Sequence, residues 1–244
     1  MISEELRDRF AEARRVLVLT GAGISAESGV PTFRGGGGTA IWKGMPFNVI
    51  SSTTMLERDL GEVWSWFDYR RSLIEKLEPN AAHRALSRWQ ERFPDFTLVT
   101  QNIDGLHQAA GSHSVIELHG NIWRARCLSC ATRYDLRSLS IEQRPRACPE
   151  CGEHLRPDVV LFGEQLPAGA FETASVKAAT CELCFIVGTS AMVYPAAMLP
   201  EIAHQAGAYL VEVNPERTPL SGLCDEVVQG KAGDVLPLFD PVHE

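Results

Sequence analysis

Val16-Leu17-Val18-Leu19 runs through Thr20 into Gly21-Ala22-Gly23-Ile24-Ser25. An unbroken run of strand-forming apolar residues predicts a strand buried on both faces, as in a parallel sheet. Glycines directly after such a strand let the backbone approach a pyrophosphate, whose charge suits a following helix N-terminus. The pattern departs from the usual G-x-G-x-x-G fingerprint. Position 26 is Ala, and the acid expected on a second strand about 20 residues later is missing. A standard dehydrogenase is therefore a poor fit, although a nucleotide site is not.

Outward from this stretch, similar apolar runs recur at 96–99, 115–118, 183–187, 209–213 and 226–228. Helical spacing lies between several of them. Leu6, Phe10 and Ala13 share one face of residues 4–14, with Ser3 placed as the cap. Leu86, Trp89 and Phe93 follow Pro79-Asn80 at helical spacing, and residues 196–205 run up to Gly207. Strands alternating with helices predict an α/β fold, a Rossmann-like parallel sheet carrying a smaller inserted zinc-binding domain. The larger domain is expected to take residues 1–34, 80–120 and 158–244. The smaller takes 35–79, which open on the run Gly35–Gly38 and turn helical around Val63–Leu77, and 121–157, with few strong strands.

The length of 244 residues fits that organisation. A net charge of −8 argues against broad nucleic-acid binding, since nothing overall neutralises phosphate. No apolar run approaches the roughly 18 residues that span a bilayer, so no membrane is expected. Glu4, Glu5, Asp8 and Glu12 argue against a secretory signal, and the expected compartment is the cytoplasm. A monomer is the expected state.

Cys127-x-x-Cys130 and Cys148-x-x-Cys151 are separated by 17 residues. Each pair can place two thiolates on one ion, and four thiolates close a tetrahedral shell, which predicts one structural Zn2+. Cys181 and Cys184 open an apolar strand and read as buried core thiols; Cys224 is isolated.

Polar clusters follow the strand ends. They are Thr100-Gln101-Asn102-Ile103-Asp104, His119-Gly120, Gly188-Thr189-Ser190 and Asn214-Pro215-Glu216. Such clusters are what a ligand crevice along the carboxyl edge of a sheet requires.

Together these motifs identify a family. Gly21-Ala22-Gly23-Ile24-Ser25-Ala26-Glu27-Ser28-Gly29-Val30-Pro31-Thr32-Phe33-Arg34 resembles the signature loop of the sirtuins. The strand-end clusters, the four cysteines and Phe162-Gly163-Glu164 match in the same order, over about residues 14–238. The resemblance is to a bacterial-type catalytic core, and it implies an NAD-dependent protein-lysine deacylase. NAD is then a co-substrate, and an acyl-lysine protein or peptide enters between the two domains. The resemblance further implies that the acyl oxygen attacks C1′ of the nicotinamide ribose and nicotinamide leaves. His119 is the general base, and O-acyl-ADP-ribose is the product. Asn102 and Asp104 hold ribose and nicotinamide, Phe33 shields the sugar from water, and Arg34 contacts phosphate. Gly188, Thr189, Ser190, Asn214 and Glu216 line the adenosine end, which Ala232 covers. Val159, Val160, Phe162, Gly163 and Glu164 form the strip that pairs with the substrate backbone. The other six histidines, His83 and His107 among them, are read as ordinary hydrogen-bonded or surface residues.

One branch of the family removes succinyl and malonyl groups and carries Tyr-x-x-Arg. Trp66-Phe67-Asp68-Tyr69-Arg70-Arg71 aligns Arg70 with that arginine and Phe67 with the tyrosine. The guanidinium that would hold an acyl carboxylate is kept and the hydroxyl is lost. Acetyl-lysine and some acidic acyl-lysines are the expected substrates. The alternatives from other classes are an NAD-dependent mono-ADP-ribosyltransferase and a non-enzymatic zinc-dependent binding module.

Overall fold

The computed structural model describes residues 2–31, 41–138 and 146–240. Phe33, Arg34 and Gly35–Gly38 lie outside them. In chain order the strands are β1 (Arg15–Thr20), β2 (Ile41–Trp42), β3 (Met45–Pro46), β4 (Asp95–Thr100), β5 (Val115–Glu117), β6 (Gly120–Cys127), β7 (Arg133–Asp135), β8 (Leu155–Val159), β9 (Leu183–Val187), β10 (Tyr209–Asn214) and β11 (Glu226–Gln229).

Six of them form one sheet in the order β11-β10-β9-β1-β4-β5, and every neighbouring pair is parallel. All six are the apolar runs read from the sequence. Their two-faced burial has a direct cause in the alternation of side chains along a strand. Val16 and Val18 of β1 enter one core with Phe10, Trp89, Phe185 and Phe239. Leu17 and Leu19 enter the core on the opposite face with Leu199, Leu210 and Ile186. Helix Glu4–Glu12 brings Leu6 and Phe10 to the first core, its end closed by Ser3, whose hydroxyl accepts from the Leu6 N–H. Helix Ala81–Arg92 brings Leu86 and Trp89, with Asn80 capping Ala82 and His83. The helix expected at 196–205 is assigned from Met198 to Gln205 and is followed by Gly207 at φ +88°. No helix among the described residues is long and apolar enough to cross a membrane.

The sequence leads to few strands in 121–157, and there the structure differs. β6 is eight residues long and pairs antiparallel with β7 and β8. Arg124 and Arg126 interrupt its apolar pattern because both turn to Asp158 on β8. Helix Leu60–Ile74 packs onto this sheet. Trp66, Phe67 and Ile74 meet Ile122, Val159 and Leu161, and Trp64 donates to the Leu155 carbonyl at 2.8 Å.

β1 sits between β9 and β4, so chain order reverses there and the carboxyl ends of β1, β4, β9 and β10 face one crevice. The turns after β1 and β9 touch backbone to backbone. Gly188 adopts φ +58°, and a Cβ there would lie 2.4 Å from the Ile24 nitrogen. Gly188→Ala is therefore expected to cost about 2–4 kcal/mol, read as a lower urea midpoint. An unchanged midpoint would contradict this close approach.

Candidate functional site

The crevice is a cavity of ≈ 1510 Å³ between the sheet's carboxyl edge and the three-stranded sheet with its helix. Gly21, Ala22, Gly23 and Glu27 line it from the first turn, and Gln101, Asn102, Ile103 and Asp104 from the end of β4. Gly188, Thr189, Ser190, Asn214, Pro215, Glu216 and Ala232 continue the same wall. His119, Phe67, Arg70, Val159, Val160, Phe162, Gly163 and Glu164 line the other part. Apart from the four cysteines, which cluster elsewhere, every described site residue read from the sequence reaches this cavity except Ser25, which is fully buried.

His119 follows β5 and is oriented by its neighbour strand. Its Nδ1 lies 2.8 Å from the Gln101 carbonyl oxygen. A carbonyl only accepts, so Nδ1 carries the proton and Nε2 of the neutral ring keeps a lone pair. Burial pushes the imidazole below its usual range, and the bond to Gln101 acts in the opposite sense. The ring is thus set up as a base at neutral pH.

Asp104 is held from behind. Its carboxylate accepts from the Ser25 hydroxyl at 2.8 Å and from the Leu106 N–H at 2.9 Å. Ser25 spends its only proton there, so His83 Nε2, 3.3 Å away, must be the donor to the hydroxyl. His83 Nδ1 correspondingly accepts from the Asn80 N–H. Burial lowers the His83 imidazole to about 4, which keeps it neutral for this role. Burial raises the Asp104 carboxyl, while Arg70 and the two hydrogen bonds oppose that. By sequence His83 reads as an ordinary histidine; the structure places it in the chain that orients Asp104. Nothing in local sequence signals this, because the partners come from three separate segments.

Other side chains turn to neighbours. The Glu27 carboxylate accepts from the Gly233 N–H at 2.8 Å, tying the first turn to the loop beside Ala232. Asn102 donates to the Gly21 carbonyl at 3.0 Å, and Gln101 to the Thr189 hydroxyl at 3.0 Å. Glu164 pairs with Arg156 behind the wall. Arg70 is 6% exposed and lies 5.5 Å above the Trp66 ring, beside buried Phe67. Asp68 turns instead to Arg71 and Arg146, and Tyr69 is exposed. Met192, Val193 and Tyr194 also line the cavity while remaining exposed, a feature the sequence reading did not single out. An apolar run in a loop was its only signal.

The four cysteines converge. All four Sγ atoms lie within 4.8 Å of one another, with Cys127 and Cys151 at 3.4 Å and Cys130 and Cys148 at 3.7 Å. Tetrahedral zinc with Zn–S of about 2.3 Å places sulfurs about 3.8 Å apart, so the set fits the ion. Ala131 and Gly152, each directly after its cysteine pair, take positive φ and turn the knuckles. Cys181 and Cys184 are buried beside the second core face, as expected.

The Sir2 family profile matches residues 21–195. The NAD-dependent protein deacylase of Thermus thermophilus is 50% identical over 244 residues, covering 98% of this chain and 94% of that protein. NAD-dependent protein deacylase 1 of Caldanaerobacter subterraneus subsp. tengcongensis is 46% identical over 88% of each chain. A solved complex of a Sir2 homologue with NAD superposes with a TM-score of 0.91 at 37% identity, covering 98% of this chain and 93% of that one. A Sir2 structure bound to acetylated peptide gives 0.85 at 31% identity, covering 98% and 97%.

Proposed function

The chain belongs to the Sir2 family, and from that premise we propose that it is an NAD-dependent protein deacylase acting on acyl-lysine. The observation that carries the reading is His119, its tautomer fixed by Gln101, in the wall of the cavity that also holds the Gly21–Gly23 turn and Arg70. When bound, NAD supplies a ribose C1′ bearing nicotinamide as leaving group.

Each residue then has a task. The backbone of Gly21 to Gly23 takes the pyrophosphate, and Asn214 and Glu216 take the adenosine end. Asp104, fixed by Ser25 and His83, holds the nicotinamide side. His119 Nε2 accepts the proton of a ribose hydroxyl, which makes that oxygen nucleophilic toward the acyl carbon. The strip Val159–Glu164 receives the peptide backbone by strand addition, and exposed Met192–Tyr194 offers apolar surface to the same peptide. The small domain, residues 35–79 and 121–157, supplies Phe67 and Arg70 to the acyl pocket. Zinc there is structural, since four thiolates leave no open position. The reading includes a monomer in the cytoplasm with no nucleic-acid or membrane partner, consistent with the acidic balance.

Arg70 faces a site where an acyl carboxylate would be desolvated, and a charged hydrogen bond there is worth about 1.5–3 kcal/mol. Steady-state kinetics on one peptide carrying acetyl-lysine or succinyl-lysine test this. Arg70→Met is expected to lower succinyl kcat/KM at least about tenfold more than acetyl, and Phe67→Tyr to raise the succinyl value about tenfold. Equal losses on both substrates would show that Arg70 is no acyl anchor.

A further inference from the structure

The cavity-lining strip Val159–Glu164 is held in place from behind by a buried ion pair. Arg156 lies on β8 and is 2% exposed. Its Nη2 donates to the Val159 carbonyl at 2.9 Å and to Glu164 Oε2 at 3.1 Å. Its Nη1 closes a second bond to Glu164 Oε1. Glu164 Oε2 also accepts from the Leu161 N–H at 2.9 Å. One planar fork therefore ties a carbonyl at the start of the strip to the carboxylate at its end, and through it to an amide in the middle. Both carboxylate oxygens of Glu164, which also lines the cavity, are engaged in this way.

Several other backbone groups of the strip are tied on other sides, while among the described residues the Val160 carbonyl and both Gly163 groups bond nothing and are left for a peptide. The Val160 N–H donates to the carbonyl of His119 at 2.9 Å. The Phe162 N–H donates to Ser51 at 2.8 Å, and its carbonyl accepts from Thr53 at 3.1 Å. Gly163, at φ +92°, makes no backbone hydrogen bond within the described residues. The strip is a short piece of chain whose shape is set by side chains as much as by strand pairing. A bidentate Arg–carboxylate pair suits that task because it fixes direction as well as distance.

We propose that Arg156, acting through Glu164, is a positioning residue for the peptide: the pair holds the strip's backbone in the form to which an extended acyl-lysine peptide adds. This rests on the strand-addition reading above. Arg156 lies behind the strip and bonds backbone and Glu164, so the reaction at His119 does not need it. It serves recognition of the peptide chain and not of the acyl-lysine side chain.

The test compares KM and kcat for two substrates, an acyl-lysine peptide long enough to add as a strand and a single blocked acyl-lysine. The parent is expected to show the lower KM for the peptide. Arg156→Met is expected to raise peptide KM about tenfold, the value of roughly one hydrogen bond, while kcat and the single-residue KM stay within about twofold. Arg156→Lys keeps the charge but bonds fewer partners at once, and is expected to raise peptide KM only about threefold. Should Arg156→Met fail to fold, the Lys variant carries the comparison. Equal rises for both substrates, or no rise for either, would overturn the proposal. A parent that binds both substrates equally would overturn strand addition itself, a result distinct from a discriminating parent with equally discriminating variants.

Discussion

His119→Ala is expected to lower deacylation at least about a hundredfold while the nucleotide still binds, the usual scale for a lost general base. The fold puts this ring where the carboxyl edge of the sheet meets the strip that would carry the peptide. The Gln101 carbonyl accepts a hydrogen bond from Nδ1–H, so the lone pair on Nε2 is fixed before any ligand arrives. Residues that line the nucleotide end are separate from His119, so the dissociation constant of ADP-ribose should change little in the variant. The pH profile gives a second handle. The neutral ring is the active form, and burial lowers its pKa. Activity should therefore persist as pH falls through the ordinary imidazole value of about 6.5, with the acid limb of kcat/KM below it. A limb above neutrality, or a variant as active as the parent, would remove His119 from the role of base.

Cys148→Ser is expected to release zinc and unfold the three-stranded sheet. The apolar cluster at its zinc end is small: the buried members are Trp64, Ala125, Cys127, Cys148 and Leu155, two of them ligands. Structural zinc contributes about 10–16 kcal/mol of apparent binding energy to such modules, comparable with the whole stability of an ordinary domain. The consequence reaches the site, because β6 begins directly after His119 and β8 leads directly into Val160. Metal analysis should find about one zinc per chain in the parent, as a site of four thiolates requires, and almost none in the variant. Loss of turnover and a lower melting temperature should accompany it. A variant that keeps its metal, or keeps its melting temperature without metal, would contradict the structural role.

The parts of the fold legible in the sequence share one physical cause. Val16–Leu19 and Leu183–Val187 are buried on both faces, so every position is apolar and the strand stands out. β6 obeys the same backbone rules yet hides, because Arg124 and Arg126 alternate with its buried residues and a register irregularity falls between Gly120 and Ala125. The cysteines were legible from spacing alone, since each pair bonds one ion from a single turn. His119, Asn102 and Arg70 were legible only through motifs seen together. The chain Asn80–His83–Ser25–Asp104 was not, because its members are separated by 58 and 79 positions and only the folded sheet joins them. Ser25, in the turn after β1, is fully buried and donates to Asp104. The expectations for Phe33 and Arg34 fall outside the described residues.

The most direct measurement counts products. An acetyl-lysine or succinyl-lysine peptide is incubated with NAD and the protein, and nicotinamide, free lysine and O-acyl-ADP-ribose are quantified together. The account predicts equal amounts of all three, with almost no free lysine or O-acyl-ADP-ribose when His119 is replaced. Nicotinamide released with the acyl-lysine intact and ADP-ribose attached to protein would contradict it and make the protein a mono-ADP-ribosyltransferase.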